Sequence, residues 1–156
     1  MVTLTFLAHW LHVAAALVWM GVQVSVALLI FPALATRPGS DARPLLGALA
    51  ARIPRLMQVS GLLVIILGLV RGTVLGPIRT WSALGSRYAL LMGLSLVLMF
   101  ALIGYGQRTG PTLMAAIWDG EAVRPGAHAA MRRHAVVVLA TLALITGCMV
   151  AMRFGV

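Results

Sequence analysis

The sequence predicts an all-α fold, an integral membrane four-helix bundle that forms a single domain over residues 1–156. The composition is the first reason: 62% of the residues are hydrophobic, 10% are charged, and the mean hydropathy is +1.03. A soluble domain of this length leaves about 30% of its unfolded-chain surface in water, so a chain this apolar requires lipid as its solvent. The second reason is four apolar runs that each approach the roughly 20 residues of a spanning helix.

The four spanning helices are predicted at residues 4–34, 54–75, 86–106 and 130–153. The connections between these helices are predicted from the positions of prolines and glycines. Pro32, Pro38, Gly39 and Pro44 are expected to end the first helix and to form a polar connection. Pro54 is then expected in the first turn of the second helix, where its missing N–H costs no hydrogen bond.

Later breaks are marked in the same way. Gly76-Pro77 ends the second helix, and Gly110-Pro111 and Pro125-Gly126 bracket the third connection. Within that connection, residues 111–119 are predicted to form a short interfacial helix with Trp118 at headgroup depth, the level that tryptophan prefers.

Arginine accounts for all twelve basic residues, against three acidic ones. Because the arginines cluster at the ends of apolar runs, they indicate anchoring to the lipid bilayer, and no nucleic-acid partner is expected. The connections after helices one and three carry eight arginines and the other side carries four, which predicts both termini on the periplasmic side of a bacterial inner (cytoplasmic) membrane. The eight are Arg37, Arg43, Arg52, Arg55, Arg108, Arg124, Arg132 and Arg133.

His9 and His12 lie one helical turn apart near the start of the first predicted helix. At 3.6 residues per turn they share a stripe with Ala16, Trp19 and Gln23. A polar side chain that can bind a ligand is costly in a membrane and marks a candidate functional site. We therefore expect this stripe to face the interior of the bundle.

Helix four returns to the same side of the membrane and brings Met149, Met152 and Cys148 to a similar depth. Imidazole combined with thioether or thiolate sulfur is a ligand set that favours Cu(I). The sequence thus predicts a copper site in the outer half of the bundle, formed by His9 and His12 with Met149, Met152 or Cys148. A periplasmic copper protein is the partner expected for such a site.

His128 and His134 belong to the opposite end of the bundle. The rise per residue separates them from His12 by about 20 Å or more, so they cannot share one metal ion with it. They form a candidate second site.

A b-type haem is the main alternative ligand. His12 and Met149 or Met152 are a suitable axial pair, and Arg71 and Arg87 are placed to bind haem propionates. A quinone or a respiratory complex is the electron partner in that case. No acidic residue lies inside a predicted span and no nucleophile–base set is evident, so whether the chain is an enzyme stays open.

A third interpretation is a ligand-free structural subunit of a larger membrane complex. In that case the Gly68-x-x-x-Gly72 spacing serves helix packing, either within the bundle or in a homo-oligomer.

The first helix also resembles a known family. WLHVAAALVWMG at 10–21 and FPAL at 31–34 are similar to the opening helix of the copper-resistance protein D family, with looser similarity over 52–70 and 86–106. The resemblance implies an inner-membrane protein of copper uptake or tolerance, with His12 at the position of the family's helix-one histidine. The chain departs from the family where a lysine is expected near Met92 or Gly93, and it is shorter than full-length members.

The same opening resembles, less closely, the HemJ-type protoporphyrinogen oxidases, which are four-helix proteins associated with haem. Their helix one ends in Arg-x-x-x-Tyr-His, whereas this chain has LLIFPAL at 28–34. This second resemblance is what keeps a haem among the predicted ligands.

Overall fold

The computed structural model describes residues 2–155 and confirms the predicted all-α four-helix bundle. Four helical segments, at residues 2–34, 39–72, 87–116 and 127–154, are long and apolar enough to cross a membrane, so the chain is a multi-pass membrane protein. In chain order the elements are α1 (Val2–Ser25), a π-helical turn (Val26–Ile30), α2 (Phe31–Leu34), α3 (Gly39–Gly72), a 3-10 turn (Trp81–Gly85), α4 (Arg87–Ala116), β1 (Trp118–Asp119), β2 (Ala122–Val123) and α5 (Ala127–Phe154).

The helices pack mainly as two pairs, α1 on α3 and α4 on α5. Where the pairs meet, a buried cluster forms around Trp19, Met99 and Val138, and a second cluster forms around Phe31 and Ile117. Many leucine and valine side chains point outward instead. This distribution suits a lipid solvent, in which apolar side chains need not be buried and the backbone groups are satisfied within each helix.

The π-helical turn keeps one face of the first span directed at the core. Trp19, Gln23, Ala27 and Phe31 are spaced four residues apart and all are buried. In a regular α-helix each four-residue step overshoots a full turn by about 40°, so the face rotates away from a straight partner. The wider turn at Val26–Ile30 absorbs part of this rotation.

Helix α3 begins at Gly39, not at residue 54, so the connection predicted up to Pro44 is largely helical. Pro38 is the N-cap, Pro44 lies in the first turns, and Pro54 is in the helix interior and not in its first turn. At 1.5 Å per residue α3 is about 51 Å long, whereas the hydrocarbon core is about 30 Å thick. The first part of α3 therefore extends beyond the core at the arginine-rich end.

Residues 111–119 do not form a separate interfacial helix, because residues 111–116 continue α4 and Pro111 is inside it. Hydroxyl groups around the proline donate to helix carbonyls, from Thr109 to Tyr105 at 2.7 Å and from Thr112 to Thr109 at 3.0 Å. These bonds go to the Tyr105 and Thr109 carbonyls and do not replace the bond that an N–H at position 111 would give to the Gln107 carbonyl. Trp118 is buried and not at the surface, and its Nε1 donates to the Arg37 carbonyl at 3.2 Å.

The β1–β2 hairpin clamps the start of α3. The Glu121 carboxylate accepts hydrogen bonds from the Ser40 N–H at 2.9 Å and from the Ser40 hydroxyl at 2.8 Å. Arg43 donates to the Gly120 carbonyl at 3.0 Å, and a side chain at position 39 would collide with that same carbonyl. Pro38 provides no side-chain cap, and the negative charge that favours a helix N-terminus comes from Asp41 in the first turn and from Glu121 of the hairpin.

Replacing Glu121 with glutamine should loosen this clamp, because the neutral amide accepts more weakly than a carboxylate. The two Ser40 hydrogen bonds lower the pKa of Glu121, so the clamp is complete above the ordinary glutamate pKa and is lost as the pH falls through the lower folded value. Hydrogen–deuterium exchange measures this. The amides of residues 39–42 should exchange faster in Glu121→Gln than in wild type, whereas Asp119→Asn should leave them unchanged; equal exchange in all three proteins would contradict the clamp.

Candidate functional site

A cavity of about 50 Å³ lies inside the bundle between all four spanning helices. It is bounded by the middle third of the first span, the last third of α3, the first half of α4 and the end of α5, so it lies in the half of the bundle opposite the hairpin. A cavity of this size holds a few water molecules or one metal ion. The polar and sulfur-containing side chains that line it are His12, Trp19, Met20, Arg71, Tyr88, Met92, Ser95, Met99, Met149 and Met152.

His12 is held in one tautomer by α3. Its Nδ1 lies 3.0 Å from the Val64 carbonyl oxygen, and because a carbonyl only accepts, Nδ1 is the protonated donor. The lone pair of Nε2 then remains available to a ligand. This arrangement, in which one ring nitrogen is bound by a backbone carbonyl, is the one that metal-binding histidines usually have.

The imidazole reaches that carbonyl because residue 68 has no side chain. In a helix the Val64 carbonyl accepts from the N–H of residue 68, so the second lone pair is accessible only from beside that residue. A Cβ atom at Gly68 would lie 3.0 Å from His12 Cε1 and 3.4 Å from its Nδ1. The glycine thus makes room for the histidine and its hydrogen bond.

Two more glycines on α3 serve other cavity side chains. A Cβ atom at Gly61 would lie 3.0 Å from Trp19 Nε1, and one at Gly72 would collide with the Met92 sulfur. The Gly68-x-x-x-Gly72 spacing is therefore used within the bundle, where it receives His12 and Met92.

Thioether groups dominate the remaining donor atoms. Five of the nine methionines in the chain line the cavity together with His12. Met149 and Met152 are among them, as the sequence predicts. Met92 and Met99 share an inward face of α4, and Met20 was not recognised from the sequence because it lies beside the histidine stripe and not on it.

Two predicted metal ligands lie elsewhere. His9 is exposed and does not line the cavity, because a three-residue step turns its side chain about 60° away from His12. Cys148 is buried, but it is not among the lining residues either. Within residues 2–155 there is no group of three or more histidine, cysteine or acidic side chains that could hold a metal ion. Any metal in the cavity would therefore rely on one imidazole and thioethers.

A positive charge borders the cavity. Arg71 is half-buried, lines the cavity and donates a long hydrogen bond of 3.4 Å to the Tyr88 hydroxyl. Arg87, the other arginine predicted to bind a haem propionate, is exposed and is not a lining residue. The cavity volume is also small, since pockets for organic ligands usually measure about 300–1,000 Å³. The residues around this cavity do not fit a haem.

The two histidines of the opposite end are not together. His128 is exposed on the first turn of α5, whereas His134 is buried. The His134 ring stacks on Tyr105 with 5.4 Å between ring centroids and contacts Phe31 at 5.7 Å. His134 Nδ1 and Gln23 Nε2 are the buried side-chain nitrogens that lack a hydrogen-bond partner in the described part of the chain.

Comparison of the chain with protein-family models, curated proteins and solved structures finds no match. The resemblances to the copper-resistance protein D family and to HemJ-type oxidases therefore stay predictions. The chemistry of the cavity is the basis for a functional proposal.

Replacing Gly68 with alanine should destabilise the protein by about 1–3 kcal/mol, the usual cost of overpacking. The added methyl group would press on an imidazole that cannot retreat without lengthening its bond to Val64. Gly47→Ala is the matched control on α3, because nothing lies within 4 Å of that position and alanine is the better helix former. Thermal unfolding in detergent should give a lower Tm for Gly68→Ala only; a Tm equal to that of Gly47→Ala would contradict this packing.

Proposed function

We propose that this chain is a copper-handling protein of the bacterial inner membrane, which binds Cu(I) in the cavity between its four helices. One observation carries the proposal: His12, with Nε2 free, and five methionine thioethers line the same cavity. The sequence resemblance to the copper-resistance protein D family supports the same function, because it rests on the helix segment that contains His12.

The imidazole and thioether groups that line the cavity favour some metal ions over others. Thioether sulfur is a soft, neutral ligand that suits Cu(I), whereas Mg²⁺ and Ca²⁺ require oxygen ligands such as carboxylates, and Zn²⁺ takes thiolate, imidazole or carboxylate. No acidic residue or cysteine is among the residues lining the cavity. Cu(I) is the ion that this chemistry favours.

The charge of the cavity points in the same direction. Neither imidazole nor thioether offsets the charge of a bound cation, and Arg71 adds a guanidinium. In a medium of low dielectric constant the repulsion grows in proportion to the charge of the ion, so a monovalent cation is disfavoured half as strongly as a divalent one. Arg71 thereby contributes to selection of Cu(I) over divalent metals.

The position of the cavity suggests how copper arrives. It lies at the end of the bundle that carries fewer arginines, which the positive-inside rule assigns to the periplasm. A periplasmic copper protein is the corresponding partner. Uptake or tolerance follows from binding copper on that side of the membrane.

Cu(I) titration of the detergent-purified protein, in competition with a chromophoric Cu(I) chelator, tests the proposal. His12→Ala and Met92→Leu should each weaken the binding at the cavity at least tenfold, which corresponds to about 1.4 kcal/mol per factor of ten. His9→Ala and Met57→Leu are matched controls, because neither residue lines the cavity.

Two results would overturn the proposal. Copper affinity that is insensitive to His12 and Met92 would exclude this cavity as the site. A Soret band in the absorption spectrum of the purified protein, with sharp bands after reduction, would establish a haem protein instead.

Arg71→Gln should strengthen Cu(I) binding several-fold, because it removes a positive charge from the edge of the cavity. Arg87→Gln is the control, since Arg87 is exposed and outside the cavity. The same competition titration measures both variants. Weaker binding in Arg71→Gln would show that the guanidinium assists the metal through a bound anion, contrary to the role given to it above.

A further inference from the structure

His134 has a buried ring nitrogen without a partner. The residue is 8% exposed, and its Nδ1 makes no hydrogen bond within residues 2–155. Native structures pair nearly all such atoms, so an unpaired one calls for a water, an ion or a functional role. The aromatic rings of Tyr105 and Phe31 enclose the imidazole but accept nothing at Nδ1.

A thioether lies one helical turn away. Met131 precedes His134 by three residues on α5 and is also buried, in the cluster that contains Phe31. Side chains three residues apart on a helix are neighbours, with about 5–6 Å between their Cβ atoms. Met131 and His134 are thus neighbouring buried residues on one side of α5, and an imidazole with a thioether offers Cu(I) two of its preferred donors.

This pair lies far from the first cavity. His134 and Met149 are fifteen residues apart on α5, which corresponds to about 22 Å along the helix axis. Between them the interior is closed by the core cluster around Trp19, Leu142 and Ile145. The two groups of donors therefore occupy different halves of the bundle.

We propose that His134 and Met131 form a second Cu(I) site in the half of the bundle nearer the hairpin, so that the chain has one copper-binding site in each half of the membrane. This inference rests on the function proposed for the His12 cavity. Copper bound at two depths of one bundle is the arrangement expected of a protein that moves the ion across the membrane, whereas a protein that only buffers copper needs one site. In the proposed transfer the ion keeps its oxidation state, and its passage between the two sites requires the core cluster around Trp19, Leu142 and Ile145 to open.

Copper stoichiometry tests the second site. The wild-type protein, titrated anaerobically with Cu(I) against the chelator, should bind two equivalents. His134→Gln and Met131→Leu should each bind one. His128→Gln and Met57→Leu should keep two, because His128 is exposed on the same helix and Met57 belongs to neither site. Met131→Leu nearly conserves volume, so it separates loss of a ligand from loss of the fold.

The double variant His12→Ala/Met92→Leu isolates the second site. Its remaining equivalent should give an X-ray absorption spectrum with nitrogen and sulfur neighbours, and this equivalent should be lost when Met131→Leu is added. The copper stoichiometry distinguishes failure of the second site from failure of the proposed function. If the wild-type protein binds one equivalent of copper, and only His12 variants lose it, the second site is overturned and the proposed function stands. If only His134 variants lose that equivalent, the His12 cavity is overturned as the copper site. If the protein binds no copper, both proposals are overturned.

Discussion

The close approach of the first span and α4 to three glycines of α3 is the constraint on which the site depends. Gly61, Gly68 and Gly72 leave space on α3 that is filled by Trp19, His12 and Met92. At the middle position the missing side chain also exposes the second lone pair of a helix carbonyl, which fixes the tautomer of His12. Small residues that let helices approach are the usual means of packing in lipid, where the hydrophobic effect does not bring helices together.

Buried polar groups in this bundle fall into two classes. The hydroxyls of Ser60 and Ser95 donate to carbonyls of their own helices, at 2.6 and 2.8 Å. Their hydrogen bonds are therefore made within the helix, and they do not indicate a ligand. His134 and Gln23 have buried nitrogens without such partners. Because an unpaired polar group costs several kcal/mol in hydrocarbon, about 2–7 by transfer measurements, the second class is where function is expected.

The two ends of the bundle differ in construction. At the hairpin end, the carboxylate of Glu121 and the indole of Trp118 join the connection between α4 and α5 to the start of α3. The cavity end instead holds flexible thioethers, a half-buried arginine and the short 3-10 turn between α3 and α4. Methionine side chains adapt to irregular spaces and to a changing ligand more readily than branched ones. The cavity end is thus the adaptable one, and the hairpin end holds the helices in register.

The sequence by itself determined that there are four spans and, apart from His9, which residues form the interior stripe of the first helix, because hydropathy and the 3.6-residue period are properties of local segments. It also identified His12, Met149 and Met152 as potential donors. Only the tertiary structure decided that α3 starts at Gly39, that Trp118 is buried, and that five methionines converge while His9 and Cys148 stay outside. These outcomes depend on the rotation and depth of each helix relative to the others, which are set by contacts such as that of Gly68 with His12, between residues distant in the sequence.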